Sequence, residues 1–133
     1  MHVSAILLIF SWLTGFPGEE PGNRETFISP LRIPLALSAN FGELRYDHFH
    51  SGIDIKTQGT TGKEIVAAAS GYVYRISISP GGFGKAIYLR HPSGYSTVYA
   101  HLDRFIPEIE EYVVSRQYEE KSFMVTLWPP KDK

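Results

Sequence analysis

The sequence contains no cysteine, which excludes disulfides, thiolate metal ligands, a thiol nucleophile and lipid attachment through an N-terminal cysteine. Nor has it an excess of either charge: thirteen Lys and Arg stand against fourteen Asp and Glu. Overall charge therefore supplies no face that would hold nucleic acid or anionic lipid by itself, and nucleic acid is not an expected partner. No apolar run reaches the roughly 20 residues that a bilayer requires, so no stable membrane span is expected in the mature chain. Internal repeats and low-complexity tracts are missing as well. Histidine is scarce, with five residues, and none follows His101. At 133 residues the chain has room for one domain with one modest core.

The longest apolar stretch is N-terminal. Val3 to Phe16 is interrupted only by Ser4, Ser11 and Thr14, and the turn-forming pairs Pro17-Gly18 and Pro21-Gly22 follow. That length suits the apolar region of a signal peptide, so residues 1–17 are expected to direct export to the periplasm, cell envelope or exterior. The leader is unconventional in carrying His2 but no Lys or Arg before the apolar core, and no A-x-A cleavage site. Residues 18–26, rich in Gly, Pro and Glu, read as a linker, and residues 27–133 as the folded domain.

Within that domain the period is two. Strict alternation places Tyr72, Tyr74, Ile76 and Ile78 on one face of a strand and Val73, Arg75 and Ser77 on the other. Pro80 to Gly84 makes a turn, with no Lys-Ser/Thr and no following helix to suggest a phosphate loop. Lys85 to His91 and Tyr95 to His101 complete an antiparallel meander, the second with Tyr95, Thr97, Tyr99 and His101 on one face. Pro107 and the nearby Glu108, Glu110 and Glu111 suit a helix N-terminus. Ile106, Ile109 and Val113 follow helical spacing, predicting a helix from Pro107 to near Glu120. Ser122 to Trp128 then alternates as a strand and stops at Pro129-Pro130. The class is mainly β, with antiparallel sheets in a sandwich or partly open barrel and one inserted helix.

In a chain without thiols, imidazole and carboxylate are the available zinc ligands, and a catalytic zinc site uses about three protein ligands plus water. His50 and Asp54 lie four residues apart, with Gly52 between them to let the backbone bend. They supply two of three. Spacing alone also fits a hydrogen-bonded turn, and His101 alone fits a packed or exposed strand-end residue. His91, before Pro92, reads as a turn histidine, and His48 reads as an ordinary non-ligand residue, with orienting a ligand from behind as the alternative for it and for the similarly placed Asp47. Tyr72, Tyr74, Tyr88, Tyr95 and Tyr99 suit a β core, or else a glycan-binding groove.

Three elements in order make the pattern specific: His50-x-Gly52-x-Asp54, the strand-turn-strand block with Gly71-Tyr72-Val73 and Gly82-x-Gly84, and Tyr99-Ala100-His101-Leu102. Together, from about Pro30 to Trp128, they resemble the M23 family of zinc metallopeptidases, the lysostaphin-like peptidoglycan endopeptidases. The resemblance implies one Zn²⁺ bound by His50 and Asp54, with His101 assisting catalysis and peptidoglycan peptides as substrate. It also implies an H-x-H motif on later strands, supplying the third ligand and a second catalytic histidine. This sequence has no such motif after His101. His48-Phe49-His50 has the spelling but belongs to the first element. The expected function is thus a cell-wall zinc endopeptidase, C-terminally truncated before the H-x-H and with an incomplete site. A non-catalytic peptidase-like module that binds cell wall or a partner hydrolase is the alternative, and a fragment without stable fold a third.

Overall fold

The computed structural model describes residues 26–131, so the expected signal peptide and nearly all of the linker lie outside the described residues. Among the described residues there are two antiparallel sheets and one helix, with no closed barrel. The mainly β class holds.

The smaller sheet pairs β1 (Leu37–Ala39) with β2 (Asp54–Ile55), setting Leu37 opposite Ile55 and Ala39 opposite Asp54. The larger sheet contains β3 (Tyr72–Ser79), β4 (Gly84–Arg90), β5 (Ser96–Leu102) and β6 (Val125–Leu127) in the order β5-β4-β3-β6. The first three make the expected meander. Helix α1 (Pro107–Glu120) carries the chain back across the sheet, so that β6 pairs with β3, where Leu127 meets Ile76.

The helix starts where proline allows, since Pro107 occupies its first turn and has no N–H to leave unbonded. Glu110 folds back over that turn and accepts the Phe105 amide at 3.1 Å and the Lys85 ammonium at 2.9 Å. The Lys85 hydrogen bond holds the Glu110 carboxyl below its ordinary pKa, and the pair ties α1 to β4. Lys121, in the left-handed conformation, ends the helix.

One sheet face carries the main core. Ile76, Ile78, Val113, Val125, Leu127 and Phe105 are buried together, and α1 contributes Ile109, Tyr112 and Val113 at the i, i+3, i+4 spacing. Ile106 is not part of this stripe: it precedes the helix and is exposed. Next to this core Ala68, Leu89 and Tyr99 form a second cluster, against which Phe27 and Ile65 pack.

The strict alternation expected of β3 and β5 is corrected by two bulges. Between Val73↔Leu89 and Arg75↔Tyr88 the register shifts, leaving Tyr74 as an extra residue. A bulge puts consecutive side chains on the same side. Val73, Ile76 and Ile78 consequently face the main core, while Tyr74 packs on the opposite face with Ala86, Tyr88, Val98 and Ala100. The second shift lies between Lys85↔Leu102 and Ile87↔Tyr99, where Ala100 and His101 together face Ala86. Leu102, rather than His101, therefore joins Tyr99 on the core face.

Candidate metal centre

His50 follows a short hairpin that Gly42 and Leu44 begin. The Gly42 amide donates to the His50 carbonyl at 2.7 Å, the His50 amide donates to the Glu43 carbonyl at 2.8 Å, and Leu44 bridges Phe49. Asp54 then opens β2. The two side chains meet: His50 Nε2 is 3.2 Å from Asp54 Oδ1, with both side chains largely buried.

The rest of each side chain is held. His50 Nδ1 stands 2.9 Å from the Asn40 carbonyl, and because a carbonyl only accepts, Nδ1 carries the proton. In the neutral ring Nε2 is then a lone pair facing a carboxylate oxygen, an arrangement that asks for a cation. Tetrahedral Zn²⁺ with bonds of about 2.0–2.1 Å separates its ligand atoms by about 3.3 Å, close to the spacing of this pair. Asp54 Oδ2 accepts from the Arg45 guanidinium at 3.0 Å, which fixes the carboxylate and leaves Oδ1 for His50. Partners of this kind commonly orient metal ligands from behind.

The residues thus fit half of a metal site. Among the described residues no group of three or more His, Cys, Asp or Glu side chains gathers to hold an ion. His101 is not joined to His50 or Asp54. It sits in the β5 bulge with φ of 55°, its amide donating to the Phe83 carbonyl at 2.9 Å and its side chain exposed. Positive φ is uncommon outside glycine and costs roughly 1 kcal/mol or more, so the bulge holds this histidine out of the sheet against a local preference. An apolar cleft of ≈ 550 Å³ lies on the other, core face of the sheet, and none of His50, Asp54 and His101 lines it. Thr57, three residues beyond Asp54, and Leu102, directly after His101, both line it, with Val73, Ile87, Leu89 and Tyr99.

The other expected positions resolve differently. His48 Nδ1 bonds Asp47 at 2.6 Å, with both exposed, so neither reaches His50; that hydrogen bond lowers the Asp47 pKa. His91 is buried in a polar relay: Nδ1 donates to the Ser70 carbonyl at 2.8 Å and Nε2 bonds Thr97 Oγ1 at 2.9 Å. Tyr99 serves that relay, 3.0 Å from Thr97 Oγ1 and accepting the Ala68 amide at 2.7 Å. Arg45 and the Asn40 carbonyl were not foreseen. Every residue has a carbonyl, and an arginine nine positions before Asp54 carries no spacing signal.

Compared with known families, residues 48–118 match Peptidase family M23, over more than half of the sequence. The chain belongs to peptidase family M23. An "Uncharacterized metalloprotease" of Haemophilus influenzae is 39% identical over 56 residues, covering 41% of this chain and 11% of its own length. The match thus spans about a tenth of that relative. No solved structure matches significantly. Family and relative agree on the metallopeptidase class, and the matched region begins at His48 and includes His50, Asp54 and His101.

Proposed function

We propose that this M23 chain carries two of the three zinc ligands and one catalytic histidine of an exported endopeptidase that cleaves peptides of peptidoglycan. The observation that supports the reading most is the facing of His50 Nε2 and Asp54 Oδ1 at 3.2 Å, backed by Asn40 and Arg45. A bound Zn²⁺ would polarise a scissile carbonyl and lower the pKa of a bound water toward about 7. His50 and Asp54 would hold it, with the Asn40 carbonyl keeping the His50 tautomer and Arg45 keeping the Asp54 rotamer. His101, exposed at the β5 bulge, would hold or move a proton at the attacking water or at the carbonyl oxygen, within reach of imidazole near neutral pH.

The third ligand would come from a segment carrying H-x-H that this sequence does not contain. The test is a protein lengthened at its C-terminus by such a segment. It should bind one zinc and release new amino groups from peptidoglycan, with release lost in His101→Ala. Failure of the lengthened, folded protein to bind zinc would overturn the proposal. Export is supported by the Val3–Phe16 segment and is checked by cell fractionation with N-terminal sequencing of the mature protein.

The lack of a three-ligand group among the described residues favours a second reading for the chain by itself: a module that binds cell wall or a partner hydrolase without cleaving. It predicts co-sedimentation with insoluble peptidoglycan, no released amines, and binding unchanged in His50→Ala.

A further inference from the structure

The outer face of the larger sheet, opposite the main core, holds a cluster that the metallopeptidase reading does not use. The β3 bulge sets Tyr74 and Arg75 both against Tyr88. The Arg75 guanidinium lies 4.5 Å from the Tyr88 ring centre and 5.4 Å from that of Trp128. Arg90 lies 5.0 Å from the Tyr74 ring centre, and Lys131 lies 5.1 Å from that of Tyr72. Tyr74 in turn contacts Tyr88 and Trp128, with ring centres 6.1 and 6.2 Å apart. The result is one array of rings and cations.

Cation–π contact leaves the guanidinium edges unused, because those donors point along the plane of the group rather than into the ring. None of Arg75, Arg90 and Lys131 forms an ion pair with a carboxylate among the described residues, whereas Arg45, Lys85, Arg104 and Arg116 each have one. Arg75 Nε is buried with no acceptor among the described residues. A buried donor in that condition is rare and points to a missing acceptor. Near-neutral total charge conceals this local excess.

We infer that this face binds an acidic polysaccharide, its carboxylates taken by Arg75, Arg90 and Lys131 and a sugar ring resting on Trp128. The donors are all cationic, so the ligand is anionic. The site is a sheet face floored with rings rather than an open strand edge, and an extended acidic peptide would gain its backbone hydrogen bonds at an edge. Trp128, 63% exposed, offers apolar surface of the size of a pyranose face. Nucleic-acid affinity is built from many simultaneous phosphate contacts, and this face offers three cations.

The experiment is calorimetric titration of the full chain at low salt with polygalacturonate, dextran, polyglutamate and single-stranded RNA in parallel. Polygalacturonate should bind, dextran should not, and polyglutamate and RNA should bind more weakly. Arg90→Gln with Lys131→Gln, both exposed positions, should weaken binding at least about tenfold, as should Trp128→Ala. His50→Ala should leave it unchanged, which separates this site from the metal-ligand pair. No binding of polygalacturonate, tighter binding of polyglutamate or RNA, or an unaltered double variant would overturn the inference.

Discussion

Replacing Thr97 by valine keeps the side chain's shape and removes only its hydroxyl, at a position with no solvent exposure. That hydroxyl joins His91 Nε2 at 2.9 Å to the Tyr99 hydroxyl at 3.0 Å. In the variant, His91 Nε2 loses its Thr97 partner while the ring, 2% exposed, cannot turn to water. Stranding a buried polar atom costs about 1–3 kcal/mol, and the weakened Tyr99 bond adds about 1 kcal/mol, giving about 2–4 kcal/mol in all. Thr97→Ser makes the complementary change, keeping the hydroxyl and deleting one buried methyl at about 1 kcal/mol. Urea unfolding at pH 7, followed by far-UV circular dichroism, should therefore rank wild type above Thr97→Ser above Thr97→Val. For a domain of this size the valine variant should melt about 8–16 °C below wild type. Thr97→Val as stable as Thr97→Ser would refute the reasoning, because packing would then outweigh the relay that joins β5 to the Ala68–Ser70 segment.

Gly71→Ala should destabilise by about 1–3 kcal/mol in the same assay, since a Cβ there would lie 2.4 Å from the Arg90 carbonyl oxygen and 2.9 Å from His91 Nδ1, and neither can move aside cheaply. Glu110→Gln should cost less than about 1 kcal/mol at pH 7, because both partners of the Lys85 pair are partly solvated. Since the folded-state pKa of Glu110 is depressed, its contribution is complete above the ordinary glutamate value of about 4.3 and lost as pH falls through the folded value; wild type and variant should converge on acidification. Arg45→Gln frees one Asp54 oxygen and should lower Co²⁺ affinity about 10–100-fold, read from the visible absorption of the bound ion.

The helix and the meander were legible because their limits are written in special residues: Pro107 opens α1, Pro80 to Gly84 turns β3 into β4, and Pro92 to Gly94 turns β4 toward β5. The pairing of His50 with Asp54 was legible for a similar reason, an i, i+4 spacing across Gly52. The faces of β3 and β5 were not, since a bulge is a property of two strands in register and neither Tyr74 nor His101 announces one. The place of β6 beside β3 depends on a return of some 45 residues, beyond what local pattern can specify. Backbone groups such as the Asn40 carbonyl are invisible in sequence, and the gathering of Arg75, Arg90 and Lys131 is hidden by a net charge of −1.

The proposed pairing of His50 and Asp54 as metal ligands is tested most directly by equilibrium titration of the full chain with Zn²⁺ at neutral pH. One ion per chain should bind, weakly as befits two protein ligands, and His50→Ala and Asp54→Asn should each abolish binding while His48→Ala leaves it intact. Zinc binding that persists unchanged in His50→Ala, or none by the folded wild-type chain at millimolar zinc, would contradict it.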